Sequence, residues 1–242
     1  MGSDHISRPP TIRKGLLGLG ALVLGSHAAP ALAQPWRPLR RALGVEDRVA
    51  TPAHVALTFD DGPHPQGTPA TLELLEEAGV AATFFVVGEQ VRRYGSLVGE
   101  ILAAGHEVAL HCERHRNLLR LTPRQTRVDL DRATEAIAGA GAPAVRLYRP
   151  PYGVFNATAL REARRRAWRP LLWTRWGRDW DARARPQAIA ARLTDGIVVG
   201  DVLLLHDADW YSAAESWRRT VGALPAVLEA IDAAGLSCGL IQ

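Results

Sequence analysis

The hydrophobic positions of this chain fall into two alternating patterns. Short apolar runs occur at Val55–Asp60, Ala82–Val87, Glu107–His111, Arg146–Pro150, Pro170–Thr174, Asp201–His206 and Leu236–Ile241. Each has the length and character of a strand buried on both faces. Between them apolar residues return at helical spacing. These segments are Thr68–Ala78 (Leu72, Leu75), Glu89–Ala104 (Val91, Leu97, Val98, Ile101, Leu102), Thr122–Ala138 (Val128, Leu130, Ile137), Asn156–Ala167, Pro186–Thr194 and Trp217–Ala234. Thr122-Pro123 is a helix start, and Gly79, Gly105 and Gly235 stand where C-terminal caps belong. Strand and helix in alternation imply parallel strands with helical crossovers. About seven such units in roughly 190 residues suggest a barrel more than an open doubly wound sheet. The expected class is α/β.

Composition narrows the picture. The chain has 242 residues, 47% of them hydrophobic, which is ample for a core. The net charge is +4, yet Asp4, Arg8, Arg13 and Lys14 alone account for +2, and Lys14 is the only lysine. No dense basic block with interleaved aromatics appears, and Arg164-Arg165-Arg166 reads as a solvated helix face, so nucleic acid is not an expected partner. Cys112 and Cys238 are too few for a disulfide framework or a zinc knuckle, and whether they pair is open.

Arg8, Arg13 and Lys14 precede the apolar stretch Gly15–Gly25, and Ala31-Leu32-Ala33 before Gln34 fits a small-residue cleavage site. Residues 1–33 therefore read as a signal peptide or an N-terminal anchor, and the protein as exported or envelope-associated; without a working signal it is cytoplasmic. The stretch is too short to span a bilayer comfortably, and no other segment qualifies. Residues 34–53, with Pro35, Pro38 and Pro52, read as a linker or surface wrap, leaving 54–242 as the domain. A monomer is expected.

Active sites of parallel sheets and barrels lie at the C-terminal ends of the strands. Here the first run ends in Asp60-Asp61 and the third in His111-Cys112-Glu113-Arg114-His115. The fourth ends in Arg149-Pro150-Pro151-Tyr152-Gly153, the fifth leads into Trp176-Gly177-Arg178-Asp179-Trp180, and the sixth ends in His206-Asp207. Adjacent strand residues point to opposite faces, so one aspartate of the pair can bind a metal while the other handles a proton. His111 and His115, four apart, can face one ion. With one aspartate they form a two-histidine, one-carboxylate set that leaves positions open for water and substrate. Zinc is the default; iron, cobalt and manganese suit the same donors. His206 suits an acid role, and Arg149 can pair with the base aspartate. The loop after Pro151 can offer an N–H to an oxyanion.

Taken together these motifs resemble the NodB-type polysaccharide deacetylases, carbohydrate esterase family four, over about residues 54–241. The resemblance implies a distorted, incomplete (β/α)7 barrel. In Thr58-Phe59-Asp60-Asp61-Gly62-Pro63 it makes Asp60 the base and Asp61 a metal ligand beside His111 and His115. It has Arg149 steady Asp60, the Tyr152 N–H serve an oxyanion hole, Asp179 tune His206 and His206 act as general acid, with Trp180 lining the pocket. Leu204 lies in Leu204-Leu205-His206, the fifth motif. Cys112 stands where the family has Ser or Thr, and Trp176 where it has Asp; both bear on substrate choice. Trp176, Trp180 and Trp210 fall near the rim and could stack on sugars, whereas Trp168 and Trp173 read as core. The expected activity is metal-dependent removal of N-acetyl groups from an amino-sugar glycan of chitin-oligomer or peptidoglycan type. The alternatives are an O-acetyl esterase on xylan-like glycan, a deacetylase of a small glycosylated natural product, and a non-catalytic glycan-binding relative.

Overall fold

The computed structural model describes residues 25–49 and 54–241. Residues 1–24, the larger part of the stretch 1–33 read as a leader, lie outside the described residues, as do 50–53. Seven strands form one sheet: β1 (Ala56–Asp60), β2 (Thr83–Val86), β3 (Glu107–Leu110), β4 (Leu147–Tyr148), β5 (Arg169–Pro170), β6 (Arg175–Trp176) and β7 (Val202–His206). The order is β5-β4-β3-β2-β1-β7-β6, and every pairing is parallel. The curled sheet is an incomplete barrel, because its edge strands β5 and β6 do not pair with each other. Glu46 bridges to Leu171, just past β5, and Arg48 to Asp201, just before β7, so the N-terminal segment bridges that gap.

Strand residues alternate between two cores, as a period of two requires. Leu57, Phe59, Phe84, Val86, Leu110, Leu203 and Leu205 join the large core shared with the helices. Ala56, Phe85, Ala109, Leu147 and Val202 fill the smaller core on the opposite face. Thr122 opens the helix Pro123–Gly139 with a reciprocal capping box to Gln125, and Asn156 caps Ala157–Arg165 by accepting from the Ala159 N–H. Gly79, Gly105 and Gly235 take φ of 64°, 82° and 68°, the left-handed helix ends expected of them.

Two expectations are corrected. Leu236–Ile241 is not a strand; Cys238 makes a single bridge to Val55. The seventh strand is instead β6, at residues 175–176. The helix expected over Glu89–Ala104 is two, Gly88–Arg93 and Gly95–Ala103, broken at Tyr94, whose ring stacks on Trp210 at 5.7 Å. No helix among the described residues is long and apolar enough to cross a membrane.

The helix Gly67–Glu77 starts against the end of β7, where a Cβ on Gly67 would lie 2.0 Å from the Asp207 carbonyl oxygen. Backbone cannot yield as a side chain does. Gly67→Ala should therefore destabilise the fold by about 1–3 kcal/mol, seen as a lower denaturation midpoint. An unchanged midpoint would show that this helix start is not tightly held.

Candidate active site

Strand β1 delivers Asp60 and Asp61 to the rim, and the backbone turns there. Asp61 adopts φ 79°, Cys112, next to His111, φ 67°, and Tyr152 φ 61°. Non-glycine residues rarely take this conformation, and they concentrate at functional rims. His111 donates its Nδ1–H to the Arg149 carbonyl at 2.8 Å, which fixes the tautomer and leaves Nε2 with its lone pair. That Nε2 lies 3.5 Å from Asp61 Oδ1, and His115 Nε2 lies 3.5 Å from the same oxygen. Asp61 Oδ1 is buried and accepts no hydrogen bond among the described residues. A tetrahedral shell with bonds of about 2.0–2.1 Å has donor–donor edges of about 3.4 Å. The three donors thus have the spacing and the orphaned oxygen that a small divalent cation requires.

Protonation states agree with this. Burial would raise the Asp61 carboxyl, but the imidazoles of His115, His111 and His206 around it outweigh that and hold it well below the usual carboxylate range. Burial lowers His115 to about 4 against the pull of Asp61, so its imidazole is neutral at ordinary pH. Ligation needs these forms. His115 is also clamped: Tyr211 stacks on it at 4.4 Å and Tyr152 meets it edge-on at 4.6 Å. Tyr211 is itself fixed, donating to Glu89 at 2.6 Å and accepting from Gln90 at 3.0 Å.

Asp60 points the other way along the alternation, toward Arg149. The Arg149 Nη1 donates to Asp60 Oδ1 at 2.6 Å and to Thr58 Oγ1 at 2.9 Å. Its remaining nitrogens donate to the Leu171 and Leu172 carbonyls at 3.2 and 3.0 Å, and the guanidinium lies 4.0 Å over the Phe85 ring. Arg149 is wholly buried. Burial pulls its pKa down and Asp60 opposes that pull.

The parallel register sets Asp60 opposite His206, the last residue of β7. His206 Nδ1 lies 2.9 Å from Asp179 Oδ1, and its backbone N–H donates to Asp179 Oδ2 at 2.7 Å. Thr220 donates to that same oxygen at 2.7 Å. Burial would lower the His206 pKa; Asp179, then Asp61 and Asp60, overcome it and raise the imidazole to about 10. His206 is therefore an imidazolium at neutral pH, with Nε2 4.0 Å from Asp61 Oδ2.

A cavity of about 420 Å³ opens onto these groups, lined also by Tyr152, Trp176, Trp180 and Leu204. The structure thus brings together every residue singled out from the sequence for chemistry. It corrects others. Trp173 packs against both cores as expected but is only half-buried and also lines the cavity, because the run read as a strand has already left the sheet. Trp210 does not line it; its indole N–H donates to the Pro63 carbonyl, and the ring packs on His64. Cys112 is a buried filler beside the Tyr148 hydroxyl, outside the ligand cluster, and both cysteines are free thiols. Sequence reasoning missed Tyr211, Thr220, and Ala31 and Gln34 of the N-terminal segment, which wall one side. Tyr211 and Gln34 lie in no periodic stretch, while Thr220 sits in a helical pattern and Ala31 in the run read as a cleavage site, and neither pattern points to the cavity. Thr58 could have been found, since it belongs to the same six residues as Asp60.

Residues 47–170 match the polysaccharide deacetylase family. A chitooligosaccharide deacetylase of Azorhizobium caulinodans is 32% identical over 192 residues, covering 76% of this chain and 90% of the relative. A peptidoglycan-N-acetylglucosamine deacetylase of Bacillus cereus is 32% identical over 75% of this chain and 83% of its own length. Among solved structures, a family 4 carbohydrate esterase from Streptomyces lividans in complex with acetate superimposes with a TM-score of 0.71. It is 32% identical, covering 80% of this chain and 95% of that one.

Proposed function

This chain belongs to the polysaccharide deacetylase family, the NodB type grouped as carbohydrate esterase family four, and from that premise we propose that it hydrolyses N-acetyl groups from an amino-sugar glycan of chitin-oligomer or peptidoglycan type, with release of acetate. One observation carries the reading. A carboxylate locked to a buried arginine and an imidazolium locked to a buried aspartate flank a three-donor cluster in one cavity. That is a base, an acid and a cation site within reach of one substrate.

Asp61, His111 and His115 would hold the cation, zinc being the first choice for two imidazoles and a carboxylate. Bound there, a divalent cation supplies Lewis acidity toward water and toward the acetyl carbonyl. The chain's own residues do the rest. Asp60, oriented by Arg149, accepts the proton of the attacking water as its oxygen bonds to the amide carbon. Tyr152, turned in at the cavity rim by its left-handed backbone, offers its N–H to the developing oxyanion. His206 then gives its Nε2 proton to the amine as the carbon–nitrogen bond breaks. Trp176 and Trp180 present faces on which sugar rings can stack.

Acetate release from chitin oligomers, peptidoglycan and acetylated xylan, each with and without a chelator, tests the reading. Release from the N-acetylated substrates is expected, lost on chelation and restored by zinc. Chelator-resistant release would overturn the mechanism, and release from xylan alone would make the protein an O-acetyl esterase.

Asp179 is the largest contributor that raises His206. A raised acid pKa keeps the acid protonated to higher pH, so activity falls as pH climbs through about 10. Asp179→Asn should move the alkaline limb of the kcat/KM profile toward the ordinary histidine value near ~6.5. An alkaline limb that stays put would remove His206 from the acid role.

A further inference from the structure

A second cavity, of about 620 Å³, shares Trp173 and Trp176 with the catalytic one, and Pro35, beside Gln34, lines it as well. Its walls are chemically unlike those around the acid and base. Arg37, Arg40, Arg48, Arg175 and Arg192 face it, against Asp47 and Asp201. Two of these arginines are fully engaged. Arg40 binds Asp47 and the carbonyls of Ala33 and Gln34, and Arg175 binds Asp201 at 2.6 Å together with the Asp195 and Gly196 carbonyls. The other three have little opposing charge left to them. Arg48 reaches Asp201 at 3.0 Å, an aspartate already held by Arg175, and Arg37 lies 3.8 Å from Asp47, already held by Arg40. Arg192 makes only a 3.4 Å contact to the Gly177 carbonyl, and among the described residues it pairs with no carboxylate. Two exposed guanidiniums, Arg37 and Arg192, and the half-buried Arg48 therefore line one hollow in which five arginines face two aspartates, a surplus of three positive charges.

We infer that this arginine-walled cavity is a subsite for an anionic group, carboxylate or phosphate, carried by the glycan next to the sugar being deacetylated. The inference rests on the deacetylase reading and extends it to the substrate's charge. Guanidinium forks match the planar geometry of carboxylate and phosphate oxygens. A concave site lined by one sign of charge also concentrates anions from a distance. The connection to the chemistry is Trp176, 42% exposed and lining both cavities. It stacks with Trp173 at 6.3 Å and meets Trp180 at 6.3 Å. A sugar lying on this aromatic row, with its acetylated neighbour at His206, presents its substituents to the arginines. Neutral glycans have no use for that charge.

The test uses the full chain loaded with zinc and three oligosaccharides of equal length. One is neutral N-acetylglucosamine oligomer, one carries a carboxylate on alternate sugars, and one carries a phosphate there. The expected result is a kcat/KM ratio, anionic over neutral, of about ten at low salt, the lower end of what a focused single-sign cleft gives. That ratio should fall toward unity as ionic strength shortens the screening length to about 8 Å, and in Arg37→Gln/Arg192→Gln. Preference for only one of the two anions supports the subsite and assigns its group. Equal kcat/KM for all three overturns the inference, as does a preference that survives the double substitution. Acetate from none of them overturns the deacetylase reading, and this one with it.

Discussion

His111→Ala should leave the protein folded but unable to hold zinc, and acetate release should disappear with the metal. The argument is geometric. The His111 Nε2 is one of the three donors in the cluster, with His115 and the orphaned Asp61 oxygen, and its Nδ1–H bond to the Arg149 carbonyl pre-orients it. Loss of an outer partner alone typically costs roughly 10–100-fold in metal affinity. Removing the ligand itself should exceed that, so zinc measured after desalting should fall from about one equivalent to background. The cavity left by the ring is small and polar, so a circular dichroism spectrum like the wild type is expected. Retained zinc at full stoichiometry would mean that the cluster is not the metal site.

Asp60→Asn should separate chemistry from metal binding. Asn keeps an oxygen toward Arg149, so the geometry survives, but it cannot take the water's proton. General-base loss costs roughly 10²–10⁴-fold, and kcat should fall accordingly while zinc content stays near that of the wild type. A lower melting temperature should accompany the change, because Arg149 is wholly buried and loses its compensating charge. Breaking a buried pair from one side costs about 3–5 kcal/mol when nothing compensates; the retained amide oxygen should keep the loss below that. Wild-type kcat in a well-loaded Asp60→Asn protein would take the base role away from Asp60.

How far the sequence carries to these residues depends on length of pattern. Strands β1 and β7 and the helix Pro186–Thr194 were legible because five to nine consecutive residues repeat one burial rule. Strands β5 and β6 are two residues each. Two residues show no period, and their place is set by partners far away in the chain, so the apolar run Pro170–Thr174 reads as a strand when most of it is loop. The helix break at Tyr94 is invisible for the opposite reason: the apolar spacing continues through Leu97 and Ile101, across a residue whose ring stacks on the distant Trp210. The chemical groups were legible because each ends a strand or lies in the loop that follows one, where the parallel topology gathers them. Tyr211 and Gln34 reach the same cavity from irregular segments, and no local rule announces that.

Arg149 has a consequence on the scale of evolution. One side chain orients the base and also fills the middle of the smaller core, stacked on Phe85 and tied to the Leu171 and Leu172 carbonyls. Positions 60 and 149 are therefore not free to drift separately. A neutral residue at 60 strands a buried cation, and a neutral residue at 149 strands a buried carboxylate. Lineages that abandon catalysis should replace the two together, so across an alignment of relatives these two columns should covary more strongly than Asp61 does with either.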